Sequence, residues 1–150
     1  MKKLFVFFSC TGNGDFLASL FGEKEYETHK VETLKPFKKM NFFRIFHYGF
    51  LAGTEKQLPI KDLELIFNLE DDEVVIGSPI WNDRLANPTL TLLNRFDFNK
   101  EKTLFVLYAG GGKAEHAKTQ LKKLGFKKEP IILKQPLAYQ DEAREALKDL

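Results

Sequence analysis

Residues 5–17, FVFFSCTGNGDFL, pass from an apolar run to a helix-like pattern through the small and polar segment SCTGNG. Gly12 and Gly14 let the backbone approach another group closely, because glycine has no Cβ atom. A helix that begins near Asn13 adds unpaired N–H groups and the positive end of its dipole. The stretch therefore predicts a strand, a loop and a helix, and the loop is either a tight turn or a phosphate site.

The chemistry of this loop favours one phosphate group over the common nucleotide motifs. Ser9 and Thr11 offer hydroxyl donors to an anion. A dinucleotide fingerprint needs a third glycine at position 17, where leucine stands. The later pair Gly112-Lys113 does not belong to a Walker loop either. That motif needs glycine at position 107 and Ser or Thr at position 114, where leucine and alanine stand. These mismatches favour a mononucleotide over a dinucleotide.

Apolar runs and helix-like patterns alternate along the whole chain. Four continuous apolar runs predict buried strands and one more polar segment predicts an edge strand, at 3–8, 73–78, 103–109, 130–135 and 26–34. Helix patterns occur at 13–21, 40–51, 87–96, 113–125 and 139–150. This alternation predicts an α/β fold with a doubly wound five-stranded parallel sheet in the order 2-1-3-4-5. The length of 150 residues fits one domain, 1–150.

Unusual loops follow the first, third and fourth predicted strands, whose carboxyl ends meet at the ligand crevice of a doubly wound sheet. Trp81 in SPIWND could stack on a flat ring or cover the sheet edge, and by itself it favours the second role. The glycines of YAGGG leave backbone groups accessible to the edge of a ring, or form a flexible turn. Together the loops predict one site for a flat ligand with a single phosphate.

Several segments resemble the flavodoxin family. FFSCTGNGDFLA is similar to the phosphate loop of that family, Ser/Thr-x-Thr-Gly-Asn-Thr. VVIGSPIWND and the later YAGGG resemble the continuation found in many bacterial flavodoxin-like proteins. The resemblance covers nearly the whole chain in order and is weakest over 24–70. It implies a flavodoxin-like fold and FMN as the cofactor.

The resemblance also implies which residues bind FMN. The phosphate would lie against Ser9, Cys10, Thr11, Gly12, Asn13 and Gly14. The isoalloxazine ring would lie between Ser78, Pro79, Ile80, Trp81 and Asn82 on one side and Ala109, Gly110, Gly111 and Gly112 on the other. The family commonly has Thr where this chain has Gly14, so we expect weaker phosphate binding. No residue is expected to be catalytic, because the flavin performs the electron chemistry.

Three functions are compatible with this pattern. The first is a flavodoxin-like electron-transfer protein that shuttles electrons between a reductase and an acceptor protein. The second is an NAD(P)H-dependent FMN reductase or quinone reductase. The third is a flavodoxin-fold interaction module without FMN, which Gly14 allows. The short loops leave little room for a substrate domain and favour the carrier.

The composition limits other functions. The chain has 23 Lys and Arg against 21 Asp and Glu, so no strong field favours nucleic acid or a membrane, and the strongly acidic surface of many flavodoxins is missing. Because this surface charge differs, the reductase and acceptor proteins that would act as redox partners stay unidentified. One cysteine excludes an internal disulfide, and three separated histidines predict no metal site. The apolar runs are far shorter than the roughly 18 residues of a membrane span. We expect a cytoplasmic protein that is a monomer or a weak dimer.

The Phe-rich stretch 37–50 has two interpretations. One helical stripe contains Phe42, Phe43, Phe46 and Phe50, and the nearby cations are Lys35, Lys38, Lys39 and Arg44. The stretch could be an amphipathic membrane contact. The pattern is more typical of a helix that packs its apolar stripe on the core and keeps a basic edge in solvent.

Overall fold

The computed structural model describes residues 1–35 and 42–150, which form strands and helices in alternation. The strands are β1 (Lys3–Phe8), β2 (Glu27–Val31), β3 (Glu73–Trp81), β4 (Arg84–Leu85), β5 (Leu104–Ala109) and β6 (Ile131–Lys134). The helices are α1 (Asn13–Glu23), α2 (Phe42–Thr54), α3 (Asn87–Arg95), α4 (Glu115–Lys123) and α5 (Gln140–Ala146). The predicted α/β class is confirmed.

Five parallel strands form the sheet in the order β2-β1-β3-β5-β6, and the short β4 pairs antiparallel with β3. Apart from β4, this is the predicted order 2-1-3-4-5. The strand order reverses between β1 and β3, so a crevice is expected outside their carboxyl ends.

Both faces of the sheet are covered, as the continuous apolar strands predict. In β1, Phe5 and Phe7 point to one face and pack with residues of α1 and α5. Leu4, Val6 and Phe8 point to the other face and pack with residues of α3 and α4. Alternate residues of a strand point to opposite faces, so a strand buried on both sides must be apolar throughout.

The third strand extends beyond its predicted end at residue 78. β3 continues to Trp81, and the chain then reverses through Asn82 and Asp83, whose φ angles are 49° and 60°. Two consecutive residues with positive φ form the tight turn that suits a two-residue hairpin, and Asn and Asp tolerate this conformation. Most of the segment that the sequence pattern predicts to be a loop is therefore strand and hairpin, which gives Trp81 a rigid support.

The prediction for the Phe-rich helix is wrong at the residues that can be described. Residues 37–41 lie outside the described residues, and α2 begins at Phe42. Phe43 is 81% exposed, Phe46 64% and Phe50 72%, so this stripe does not pack on the core. The opposite side of α2 contacts the protein instead, through the fully buried Ala52.

The described helices and polar clusters limit what the protein can do. Within residues 1–35 and 42–150, every helix is too short or too polar to cross a membrane. Within the same ranges, no group of three His, Cys, Asp or Glu side chains could hold a metal ion.

Candidate functional site

A cavity of about 560 Å³ lies at the carboxyl ends of the parallel strands. It is bounded by the loop after β1, by the end of β3, by the loops after β5 and β6, and by the middle of α2. Its lining consists of Cys10, Thr11, Asn13, Tyr48, Gly49, Pro79, Ile80, Trp81, Asn82, Tyr108, Gly110, Gln135, Leu137 and Ala138. The volume is within the range of about 300–1,000 Å³ that is typical of small-ligand sites.

The loop after β1 has the geometry of an anion site. Gly12 has a φ of 90°, which a glycine adopts without strain, and the chain enters α1 directly after it. The Gly14 N–H donates to Ser9 Oγ at 3.2 Å. Helix geometry leaves the N–H groups of Asn13 and Asp15 without acceptors within the helix. These groups and the helix dipole create a positive potential at this loop, part of which lines the cavity.

Gly14 is required by close packing beneath the loop. A Cβ atom at this position would lie 2.7 Å from Ser9 Cβ, 2.8 Å from the Tyr108 hydroxyl oxygen and 2.9 Å from Phe7 Cδ2. Tyr108 is buried, and its hydroxyl donates a hydrogen bond to the carbonyl of Phe8. Tyr108 therefore occupies the space that a larger residue at position 14 would need. This contact gives the departure from the flavodoxin pattern a physical reason.

An ion pair and two hydrogen bonds fix the position of the loop after β1. Asp15 forms an ion pair with Lys30 of β2 at 2.6 Å, and both side chains are about half exposed. The lysine offsets the repulsion that the Asp15 carboxylate would exert on a phosphate. On the other side, Asn13 Nδ2 donates to Thr11 Oγ1 at 3.2 Å, and Asn13 Oδ1 accepts from the Leu137 N–H at 3.0 Å. Asn13 thus connects the first loop to the loop after β6.

An aromatic cluster forms the apolar wall of the cavity. Trp81 is only 6% exposed, and its ring makes an edge contact with Phe8 at a centroid distance of 5.8 Å. Tyr48 of α2 stacks on Trp81 at a centroid distance of 5.0 Å and an angle of 20°. Burial also raises the pKa of the Tyr48 hydroxyl, against the opposing charge of Arg44. The wall combines flat apolar surface with the polar edge of Tyr48.

Cys10 joins the anion end of the cavity to this wall. Burial raises the pKa of its thiol above the ordinary value, and a hydrogen bond with the Trp81 side chain partly opposes the increase. The raised pKa keeps the thiol protonated at neutral pH and so weakly nucleophilic. Cys10 therefore acts as a small residue in the lining rather than as a reactive nucleophile.

The third predicted loop contributes less than the resemblance implies. Gly110 lines the cavity, whereas Ala109 is the buried end of β5 and Gly111 is exposed away from the lining. Gly112 has a φ of 72° and lies beside the Lys134 side chain. The carbonyl of Gly110 accepts a hydrogen bond from Gln135 Nε2 at 3.0 Å.

The other sequence-derived residues differ in how close they lie to the cavity. Cys10, Thr11, Asn13, Pro79, Ile80, Trp81 and Asn82 meet at the cavity. Ser9 and Gly12 line an adjacent depression beside Lys30, and Gly14 lies beneath the loop. The Ser78 side chain is buried and hydrogen bonded to the Thr89 hydroxyl at 2.7 Å, away from the lining. Its contact with a ligand stays a prediction without support from this geometry.

Sequence reasoning missed six lining residues: Tyr48, Gly49, Tyr108, Gln135, Leu137 and Ala138. The loop after β6 could have been found, because it also follows the carboxyl end of a parallel strand. Tyr108 sits at the end of β5, directly before the glycine loop. No local pattern distinguishes Tyr48, because its position depends on how α2 folds back over the sheet.

Several solved structures that resemble this chain in fold are described as flavoproteins or candidate flavoproteins. A candidate flavoprotein of Bacteroides eggerthii is 19% identical, with a TM-score of 0.67 over 94% of this chain and 96% of that chain. A flavoprotein of Lactobacillus acidophilus in complex with FMN is 19% identical, with a TM-score of 0.61 over 83% of this chain and 85% of that one. The apo form of the flavoprotein of that organism is 18% identical, with a TM-score of 0.59 over 87% and 89%.

This chain has a flavodoxin-like fold. The sequence identities are too low to carry more than the architecture. No protein-family profile and no curated protein sequence matches the chain. The flavodoxin-like fold places its ligand crevice outside the β1 and β3 carboxyl ends, which is where the 560 Å³ cavity lies.

Proposed function

We propose that this protein binds FMN in the cavity and carries electrons between a reductase and an acceptor protein. The observation that supports this most strongly is the combination of a helix N-terminus with unpaired N–H groups and an aromatic wall at one cavity. One end suits a phosphate and the other suits a flat, largely apolar ring. A structural neighbour in complex with FMN supports the choice of this cofactor.

The phosphate end would use backbone N–H groups together with hydroxyl and amide side chains. Thr11 is exposed at the cavity edge, and Asn13 is held in place by its contacts with Thr11 and Leu137. A hydrogen bond to a charged group contributes about 1.5–3 kcal/mol. The loop also stands at the N-terminus of an 11-residue helix, so its dipole adds to the attraction.

The ring end would bind through Trp81, Tyr48 and the apolar residues beside them. Bound flavin supplies one- and two-electron transfer, and the chain supplies orientation and exclusion of water. Among the described lining residues there is no Asp, Glu, His, Lys or Arg side chain. This lining supports a role in electron transfer more than acid–base chemistry on a second substrate.

Titration with FMN tests the cofactor. We expect purified protein to quench FMN fluorescence and to bind riboflavin much more weakly, because riboflavin lacks the phosphate. Thr11→Ala should weaken FMN binding by about tenfold or more and leave riboflavin binding unchanged. Thr119→Ala, an exposed threonine on α4, is the matched control and should have no effect. Failure to bind FMN, or equal affinity for the two flavins, would contradict the proposal.

Turnover distinguishes the carrier from a reductase. FMN-loaded protein should accept electrons from a separate reductase and pass them to a one-electron acceptor such as cytochrome c. It should oxidise NADPH very slowly when no reductase is added. Rapid NADPH oxidation by the purified protein alone would assign the reductase function instead.

A further inference from the structure

Three phenylalanine side chains of α2 are exposed. Phe43, Phe46 and Phe50 are 81%, 64% and 72% exposed, and we term them the Phe stripe. Their spacing of three and four residues aligns them along one side of a helix. Ala52 lies about two and a half turns from Phe43, on the opposite side, and is fully buried.

Contacts at the other side hold α2 in this orientation. Asn87 Nδ2 donates to the carbonyls of Leu51 at 2.9 Å and Lys56 at 2.6 Å. Tyr48 stacks on Trp81, so the middle of the helix is also attached to the sheet. The exposure of the Phe stripe thus follows from packing that fixes which side of α2 faces outward.

The charged residues closest to the stripe in sequence have one sign. The sequence between residues 33 and 54 contains Lys35, Lys38, Lys39 and Arg44 and no Asp or Glu. Of the cations that the structure describes, Lys35 is exposed and Arg44 is partly exposed. A second copy docked by two-fold symmetry would bring these like charges together, which is unfavourable. A surface that is both apolar and anionic would complement the Phe stripe and these cations.

We propose that α2 docks on the surface of an anionic phospholipid bilayer and inserts the Phe stripe at the headgroup boundary. An interfacial helix carries cations and large apolar side chains in this arrangement, and its apolar side enters the boundary by about 5–10 Å. Anionic headgroups attract nearby Lys and Arg side chains. A bilayer also accommodates protruding aromatic rings without a preformed pocket for each one. This proposal departs from the expectation of no membrane contact, and the experiment below tests which of the two is right.

Docking would bring the cavity close to the lipid surface, because Tyr48 and Gly49 of the same helix line it. The inference does not depend on flavin binding, since the stripe and its charges belong to the polypeptide. Membrane contact can therefore be tested with or without FMN, and either proposal can fail alone.

Vesicle co-sedimentation of the full chain tests the inference. We expect binding to vesicles of phosphatidylcholine mixed with phosphatidylglycerol, weak binding to phosphatidylcholine alone, and loss of binding as salt is increased. The variant Phe43→Ser/Phe46→Ser/Phe50→Ser should bind about tenfold or more weakly. Ile66→Ser is the control, because Ile66 is 74% exposed but lies outside α2, and it should bind like the wild type.

The melting temperature shows whether each variant is folded. If the triple variant unfolds, the single variant Phe50→Ser replaces it and should show a smaller loss of binding. Absence of binding to the anionic vesicles by the wild type would overturn the inference. Binding that the Phe substitutions leave unchanged would overturn it too, as would a wild-type dimer that the triple variant lacks.

Discussion

Gly14→Ala and Gly22→Ala place the same methyl group at two positions of α1 with opposite expected effects. At position 14 the new Cβ would lie within 2.9 Å of atoms of Ser9, Tyr108 and Phe7. At position 22 nothing outside the helix backbone lies within 4 Å. Alanine favours a helix over glycine by about 0.5–1 kcal/mol, and both positions lie within α1. The difference between the variants therefore measures the packing beneath the candidate phosphate loop.

The magnitude follows from the contacts. Overpacking a close-packed site costs about 1–3 kcal/mol, and three contacts below 3.0 Å place Gly14→Ala at the upper end. After the gain in helix propensity, we expect a net loss of about 1–2 kcal/mol, or about 2–8 °C in melting temperature. Gly22→Ala should gain about 0.5–1 kcal/mol and melt about 1–4 °C higher.

Thermal unfolding followed by circular dichroism gives the comparison, and FMN titration gives its functional counterpart. Gly14→Ala should also weaken FMN binding, because the displaced Ser9 belongs to the loop. Gly22→Ala should bind FMN like the wild type. An increase in melting temperature for both variants would refute the packing argument, because it would mean that the space beneath the loop is not filled.

Other predictions concern single groups. Tyr108→Phe removes the hydrogen bond to the Phe8 carbonyl and should lower the free energy of unfolding by about 1–3 kcal/mol, or the melting temperature by about 2–12 °C. An unchanged melting temperature would show that this hydroxyl does not contribute to stability. Burial raises the pKa of Cys10, so alkylation of its thiol should be slow at neutral pH and accelerate as the pH rises. Bound FMN should slow the alkylation further, because Cys10 lines the cavity. Equal alkylation rates with and without FMN would argue against FMN binding in this cavity. Backbone N–H groups of Asn68 and Lys2 lower the pKa of Asp72, so its stabilising effect is present above about pH 4 and is lost as pH falls through the lowered value. Asp72→Asn should therefore melt below the wild type at pH 7, and the difference should shrink on acidification; a constant difference would contradict this.

The sequence predicts the architecture well because its signals are local. Continuous apolar runs identify strands that are buried on both faces, and the segments between them identify the helices. The parallel order then brings the carboxyl ends of β1 and β3 together, which locates the crevice from topology alone. The loop SCTGNG and the position of Trp81 at the cavity follow from the same reasoning.

Long-range packing decided the rest. Tyr108 donates to the carbonyl of Phe8, 100 residues earlier, and this contact accounts for the glycine at position 14. Tyr48 reaches Trp81 through the orientation of α2, and the same orientation turns Phe43 and Phe50 outward although their pattern is typical of a core-facing helix. A periodic pattern specifies that one side of a helix is apolar, but only the packed neighbours determine which side is buried. That choice depends on the shapes of distant segments, so no local stretch of sequence contains it.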